Sequence, residues 1–113
     1  MLYSYLIMQL SKKECKACEG NMPKLTTKQS NTLLKQLKYW KIKNKRIHRQ
    51  FKFKNFIEAM KFINKVAIIA EKEQHHPDII IHYNKVNIEI WTHSINGLSE
   101  NDFILAAKID KAV

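Results

Sequence analysis

The chain has 113 residues and a mass of 13.4 kDa, with 45% apolar and 27% charged residues, the balance of one ordinary globular domain spanning 1–113. At this length roughly two thirds of the unfolded surface can be buried, so one core can form unaided, and two Gly, two Pro and two Cys exclude collagen-like, low-complexity and disulfide-scaffold classes. Twenty Lys and Arg against ten Asp and Glu give a formal charge of +10, a field that would attract phosphates and other anions.

In chain order, Met1–Leu10 is apolar but far short of the roughly 18 residues of a membrane span. It has no basic leader or small-residue cleavage site, and Lys12 and Lys13 follow it at once. The reading is a cytoplasmic protein with no membrane partner and an N-terminal extension over residues 1–20, with Met8 as an alternative start. Cys15-x-x-Cys18 is a single half-site, read as structurally incidental, because a zinc ribbon needs a second pair and a redox dithiol needs a strand before it and a helix after it.

Thr26 or Thr27 caps a helix with Leu33, Leu34 and Leu37 as its stripe. From Trp40 to Phe53 the period falls to two, a hairpin turning at Asn44–Lys45 with one wet face. Between Glu19 and Glu58 no acidic residue occurs, and eleven basic residues run from Lys24 to Lys54. They are mostly lysines without clustered arginines or stacking aromatics, so a solvated basic face is favoured over a nucleic-acid interface. Asn55 opens a second helix with Glu58 in capping-box register, lined by Phe56, Ala59, Met60, Ile63, Ala67 and Ala70 and flanked by Phe62, Val66 and Ile69. Pro77 stops it near His75–His76. Ile79–Tyr83 and Val86–Thr92 form a hairpin about Asn84–Lys85, and Ser99-x-x-Asp102 caps a last helix carrying Phe103, Leu105, Ala106 and Ile109. The order α-β-β-α-β-β-α predicts an α+β fold, a four-stranded antiparallel sheet with helices packed on one face.

Three of the five histidines fall at element ends, His75, His76 and His93, where side chains can be partly exposed yet firmly held. His75 and His76 are expected to close a helix, whose C-terminal dipole favours imidazolium. Gly97, shortly after His93, would let backbone approach a ligand. The cluster suits general acid–base chemistry on a small organic molecule. Structural histidines and a three-histidine metal site stay open, the latter disfavoured because no His-x-His or His-x-x-x-His places two ligands on one face. Asp102 is first a capping carboxylate, a role compatible with orienting a histidine. No Gly-rich phosphate loop, nucleophile elbow or paired-carboxylate signature occurs.

The run from Phe51 to Asp110 resembles the pterin-4a-carbinolamine dehydratase family. The likeness rests on Phe51-Lys-Phe53-Lys-Asn-Phe56, Val66-Ala67, Ala70-Glu71, His75-His76-Pro77, Tyr83-Asn84-Lys85-Val86, Thr92-His93 and Gly97-Leu98-Ser-Glu-Asn-Asp102, and more weakly on Cys15-Lys-Ala-Cys18 and Tyr39-Trp40. It implies dehydration of 4a-hydroxytetrahydropterin to quinonoid dihydropterin without metal or organic cofactor, recycling the cofactor of aromatic amino acid hydroxylases. His75, His76 and His93 match the family's three active-site histidines, and Glu71, Thr92 and Asp102 match positions beside the substrate. Gln74 stands where the family commonly has an acid, and Ile79 where it often has Trp. A homodimer or homotetramer is expected, since Trp91 falls on the sheet side away from its own helices. The family also contains a dimerisation cofactor for a transcription factor, a non-enzymatic alternative. All three histidines lie outside the apolar stripes, so replacing any of them is expected to leave stability nearly unchanged.

Overall fold

The computed structural model describes residues 10–16 and 23–113; Cys18 and the alternative start Met8 lie outside them. Helix α1 spans Thr27–Leu34, β1 Lys41–Lys43, β2 Arg46–Lys52, α2 Phe56–Glu73, β3 Asp78–His82, β4 Lys85–Ile90 and α3 Glu100–Asp110, with a single 3-10 turn at His93–Ile95. The sheet is antiparallel in the order β1-β2-β4-β3, so the α+β order of elements and the four-stranded antiparallel sheet are as expected.

Alternation decides which face is dry. Ile47, Phe51, Val86, Ile88 and Ile90 are buried on one side, where α2 and α3 pack on β4 and on each other. His48, Gln50, Ile80, Asn87 and Glu89 share the opposite side, which no helix among the described residues covers. Asn44 and Lys45 both adopt left-handed backbone (φ 54° and 60°), the conformation that lets a two-residue turn follow the twist of its strands. The second turn falls one residue earlier than expected, at Tyr83–Asn84, because His82 pairs with Lys85. Asn84 braces that turn on the end of β2: its carbonyl accepts from the Phe53 N–H (2.8 Å) and its side-chain amide donates to the Phe53 carbonyl (2.9 Å).

Helix α1 is capped by Thr26, which accepts from the Gln29 N–H (3.1 Å) while Gln29 Oε1 accepts from the Thr26 N–H (2.9 Å). In α2 the buried positions are Ala59, Phe62, Val66, Ala70 and Glu73. This stripe is centred about one position away from the expected one, leaving Phe56 47% exposed. Apolar residues flank the stripe on both sides, so periodicity alone left its centre free. The helix also ends sooner than Pro77 required. Gln74 turns left-handed (φ 53°), and its side-chain amide donates to the Glu71 carbonyl (2.6 Å). His75 and His76 therefore lie in the connection beyond the helix rather than closing it. Helix α3 is buried almost all round, and its far end is fixed by Asp110, which accepts from Trp40 Nε1 (2.9 Å) and Arg49 Nη1 (2.6 Å).

Candidate active site

The connection after α2, the end of β4 and the start of α3 meet at Asp102. One carboxylate oxygen, Oδ1, accepts from His75 Nε2 (2.6 Å); the other accepts from the Ser99 N–H (2.8 Å) and from the Thr92 hydroxyl (2.9 Å), which lies 2.7 Å from the Ser99 hydroxyl. Asp102 and Thr92 are no more than 1% exposed and His75 is 6% exposed. Asp102 is the third residue of α3, where a negative charge is favoured by the helix dipole. It thus caps the helix and orients a histidine at once. Because a carboxylate can only accept, the contact places the proton of a neutral His75 ring on Nε2.

The other two matched histidines are held at the surface by neighbours of their own. His76, whose side chain is 56% exposed, donates from Nε2 to Glu71 Oε2 (2.5 Å). His93 opens the 3-10 turn after β4 and stacks on Trp91 (ring centroids 4.0 Å apart, 27° between planes). The Arg46 guanidinium lies 4.5 Å from the Trp91 ring centroid, and Trp91 Nε1 donates to Asp78 (3.3 Å). His75 and Thr92 are therefore both bonded to Asp102, one through each carboxylate oxygen. His76 and His93 each sit one residue beyond a member of that buried group, and Glu71 supports His76. His48 and His82 belong elsewhere, on a groove of about 640 Å³ over the open sheet face.

Two members of the site escaped sequence reasoning. Ser99 was legible as a cap, but not as a neighbour of Thr92, because that contact depends on how β4 and α3 dock. Trp91, expected on the sheet side away from the helices, also stacks on His93, a local contact of residues two apart. Gly97 serves a different neighbour than expected: a side chain there would meet the aliphatic stem of Lys24 at 3.0 Å, and its backbone closes the loop by bridging to Thr92. Gln74 spends its side chain on the end of α2, and Ile79 pairs with Ile88 and packs on the core.

Among the described residues no three His, Cys, Asp or Glu side chains are grouped as metal ligands. Burial, reinforced by the Glu73 carboxylate, pushes the Cys15 thiol up to about 12, which makes it a poor nucleophile and metal ligand.

The family model described as pterin 4 alpha carbinolamine dehydratase matches residues 23–112. A protein of Nitrosospira multiformis, provisionally named pterin-4-alpha-carbinolamine dehydratase, is 51% identical over 104 residues, 92% of each chain. One of Rickettsia canadensis with the same provisional name is 48% identical over 92% of this chain and 97% of its own. Among solved structures, a "transcriptional coactivator/pterin dehydratase" from Brucella melitensis superposes with a TM-score of 0.77 at 37% identity, covering 80% of this chain and 98% of that one. A pterin dehydratase-like protein identified as a RuBisCO assembly factor in the alpha-carboxysome shares the fold, with a TM-score of 0.57 at 23% identity over 67% of this chain and 90% of its own.

Proposed function

Because the chain belongs to the pterin-4a-carbinolamine dehydratase family, we propose that it is a hydro-lyase that removes water from 4a-hydroxytetrahydropterin, with His75, His76 and His93 handling the protons. The reaction breaks the C4a–O bond. A proton delivered to the hydroxyl lets it leave as water, a second proton leaves a ring nitrogen, and the electron pair freed there forms the double bond of the quinonoid dihydropterin. No electrons are exchanged with an outside group, so protein acids and bases suffice.

The observation that carries the reading is the buried cluster in which Asp102 joins His75 and Thr92, with exposed His76 one residue beyond His75 and exposed His93 one residue beyond Thr92. Asp102, itself held by Thr92 and Ser99, keeps His75 in one tautomer and orientation. His76 and His93 are the rings a planar substrate can reach, with Glu71 steadying the first and Trp91 offering the second a flat support. The reading places the enzyme in the cytoplasm, supplying quinonoid dihydropterin for the separate two-electron reduction that returns the tetrahydropterin of aromatic amino acid hydroxylases. Its test is turnover of synthetic 4a-hydroxytetrahydropterin by the wild type and by the three histidine variants; a His76→Ala enzyme with undiminished turnover would overturn the assignment.

A second reading, a protein-binding coactivator, draws on the Brucella neighbour's description and on the uncovered sheet face with Ile80 exposed. Direct nucleic-acid binding by the Lys24–Lys54 segment has less support, since Arg49 is turned onto Asp110 beneath the sheet and Arg46 lies against Trp91.

A further inference from the structure

Residues 10–16 are remote in sequence from the buried histidine yet grip both elements that make its contact. The Cys15 N–H donates to Glu73 Oε1 (2.9 Å), whose other oxygen pairs with Lys108 Nζ (3.3 Å). The Lys16 N–H donates to Asn101 Oδ1 (2.9 Å), and Asn101 Nδ2 donates back to the Lys16 carbonyl (2.7 Å), so one side-chain amide pairs with one backbone residue in both directions. Leu10 is sunk in the core at the other end of the segment. Glu73 is the last residue of α2, two before His75, and Asn101 immediately precedes Asp102.

We propose that residues 10–16 form a strap that fixes the end of α2 against the start of α3, and that Asn101 and Glu73 are positioning residues for the His75–Asp102 contact. The reason is geometric. His75 and Asp102 lie 27 residues apart on separate elements and meet through one 2.6 Å bond, and a hydrogen bond weakens steeply with misalignment. Glu73 and Asn101 are both buried, so losing the strap would take a hydrogen-bond partner from each of them, and each bond holds a backbone position next to the site. The kinetic consequence rests on the dehydratase reading; the structural one does not.

The test uses the full chain carrying Asn101→Ala, which removes both bonds to Lys16, and Glu73→Ala, which removes the acceptor of the Cys15 N–H. The His75 Nε2–H proton resonance is followed in the free protein, and kcat, KM and the pH profile during turnover. The strap predicts that Asn101→Ala, folded by circular dichroism, exchanges the His75 proton faster with solvent and moves its resonance, that kcat falls about 10- to 100-fold with KM changed much less, and that the pH profile shifts; His82→Ala moves none of these. A folded variant with the His75 resonance and pH profile unmoved would overturn the proposal, even if kcat fell. Should Asn101→Ala not fold, Glu73→Ala decides by the same readouts. A wild type without turnover would sink the dehydratase reading and leave the strap to be judged by the resonance alone.

Discussion

At the scale of single residues, the three histidines differ in what they cost to replace. His76→Ala and His93→Ala remove exposed rings, so stability should hardly change, while turnover drops by about 10²–10⁴ for whichever transfers a proton in the slow step. Their combined loss should be less than additive if they act as a unit. His75→Ala departs from the expectation that all three are neutral for stability. It strips the donor from a carboxylate that is fully buried and should cost about 1–3 kcal/mol in urea unfolding. His82→Ala, on the open sheet face, should leave the rate intact. Glu73 supplies a pH signature. Burial alone would raise its carboxyl, but the Cys15 N–H and Lys108 outweigh that and hold it below its ordinary 4.5. A lowered carboxylate adds stability above its unfolded value that is lost as pH falls through the folded one. Wild-type stability should therefore decline more steeply than that of Glu73→Gln on acidification below about pH 4.5, as chemical denaturation at stepped pH would record. Cys15 should likewise resist alkylation at pH 8 in the native protein and react readily once unfolded, read peptide by peptide.

At the scale of elements, strands were more legible than the ends of α2. The period of two in Trp40–Phe53 and Val86–Thr92 has a single register that puts Ile47, Phe51, Val86, Ile88 and Ile90 inside, because a slip of one residue would expose the whole set. The turn at Tyr83–Asn84 was harder to place because Asn84 is chosen by its bonds to Phe53, a contact from another strand. In α2, Pro77 explained why the helix must stop, but the stop is made by Gln74 in left-handed backbone, a conformation that costs a non-glycine residue about 1–2 kcal/mol. Gln74→Gly should thus raise stability by up to about 1 kcal/mol, offset by loss of the bond to the Glu71 carbonyl; a destabilised variant would show that this bond outweighs the backbone preference. The Ser99-x-x-Asp102 spacing was readable as a helix start, and the resemblance carried His75 and Asp102 to one site, but the 2.6 Å contact between them follows from docking of α2 and α3, which no local pattern encodes.

At the scale of the whole molecule, helices cover one face of the sheet and leave the other carrying Ile80 and a groove of about 640 Å³. A second copy seated there would give the proposed homodimer or homotetramer, and light scattering at micromolar concentrations should return a multiple of 13.4 kDa; the monomer mass throughout would reject it. The proposed chemistry is read most plainly by stopped-flow dehydration of synthetic 4a-hydroxytetrahydropterin with the metal-free protein. Quinonoid dihydropterin should form well above the uncatalysed rate, unaffected by chelator and lowered by about 10²-fold or more in His76→Ala or His93→Ala. A rate equal to buffer alone, or an enhancement untouched by replacing all three histidines, would contradict it.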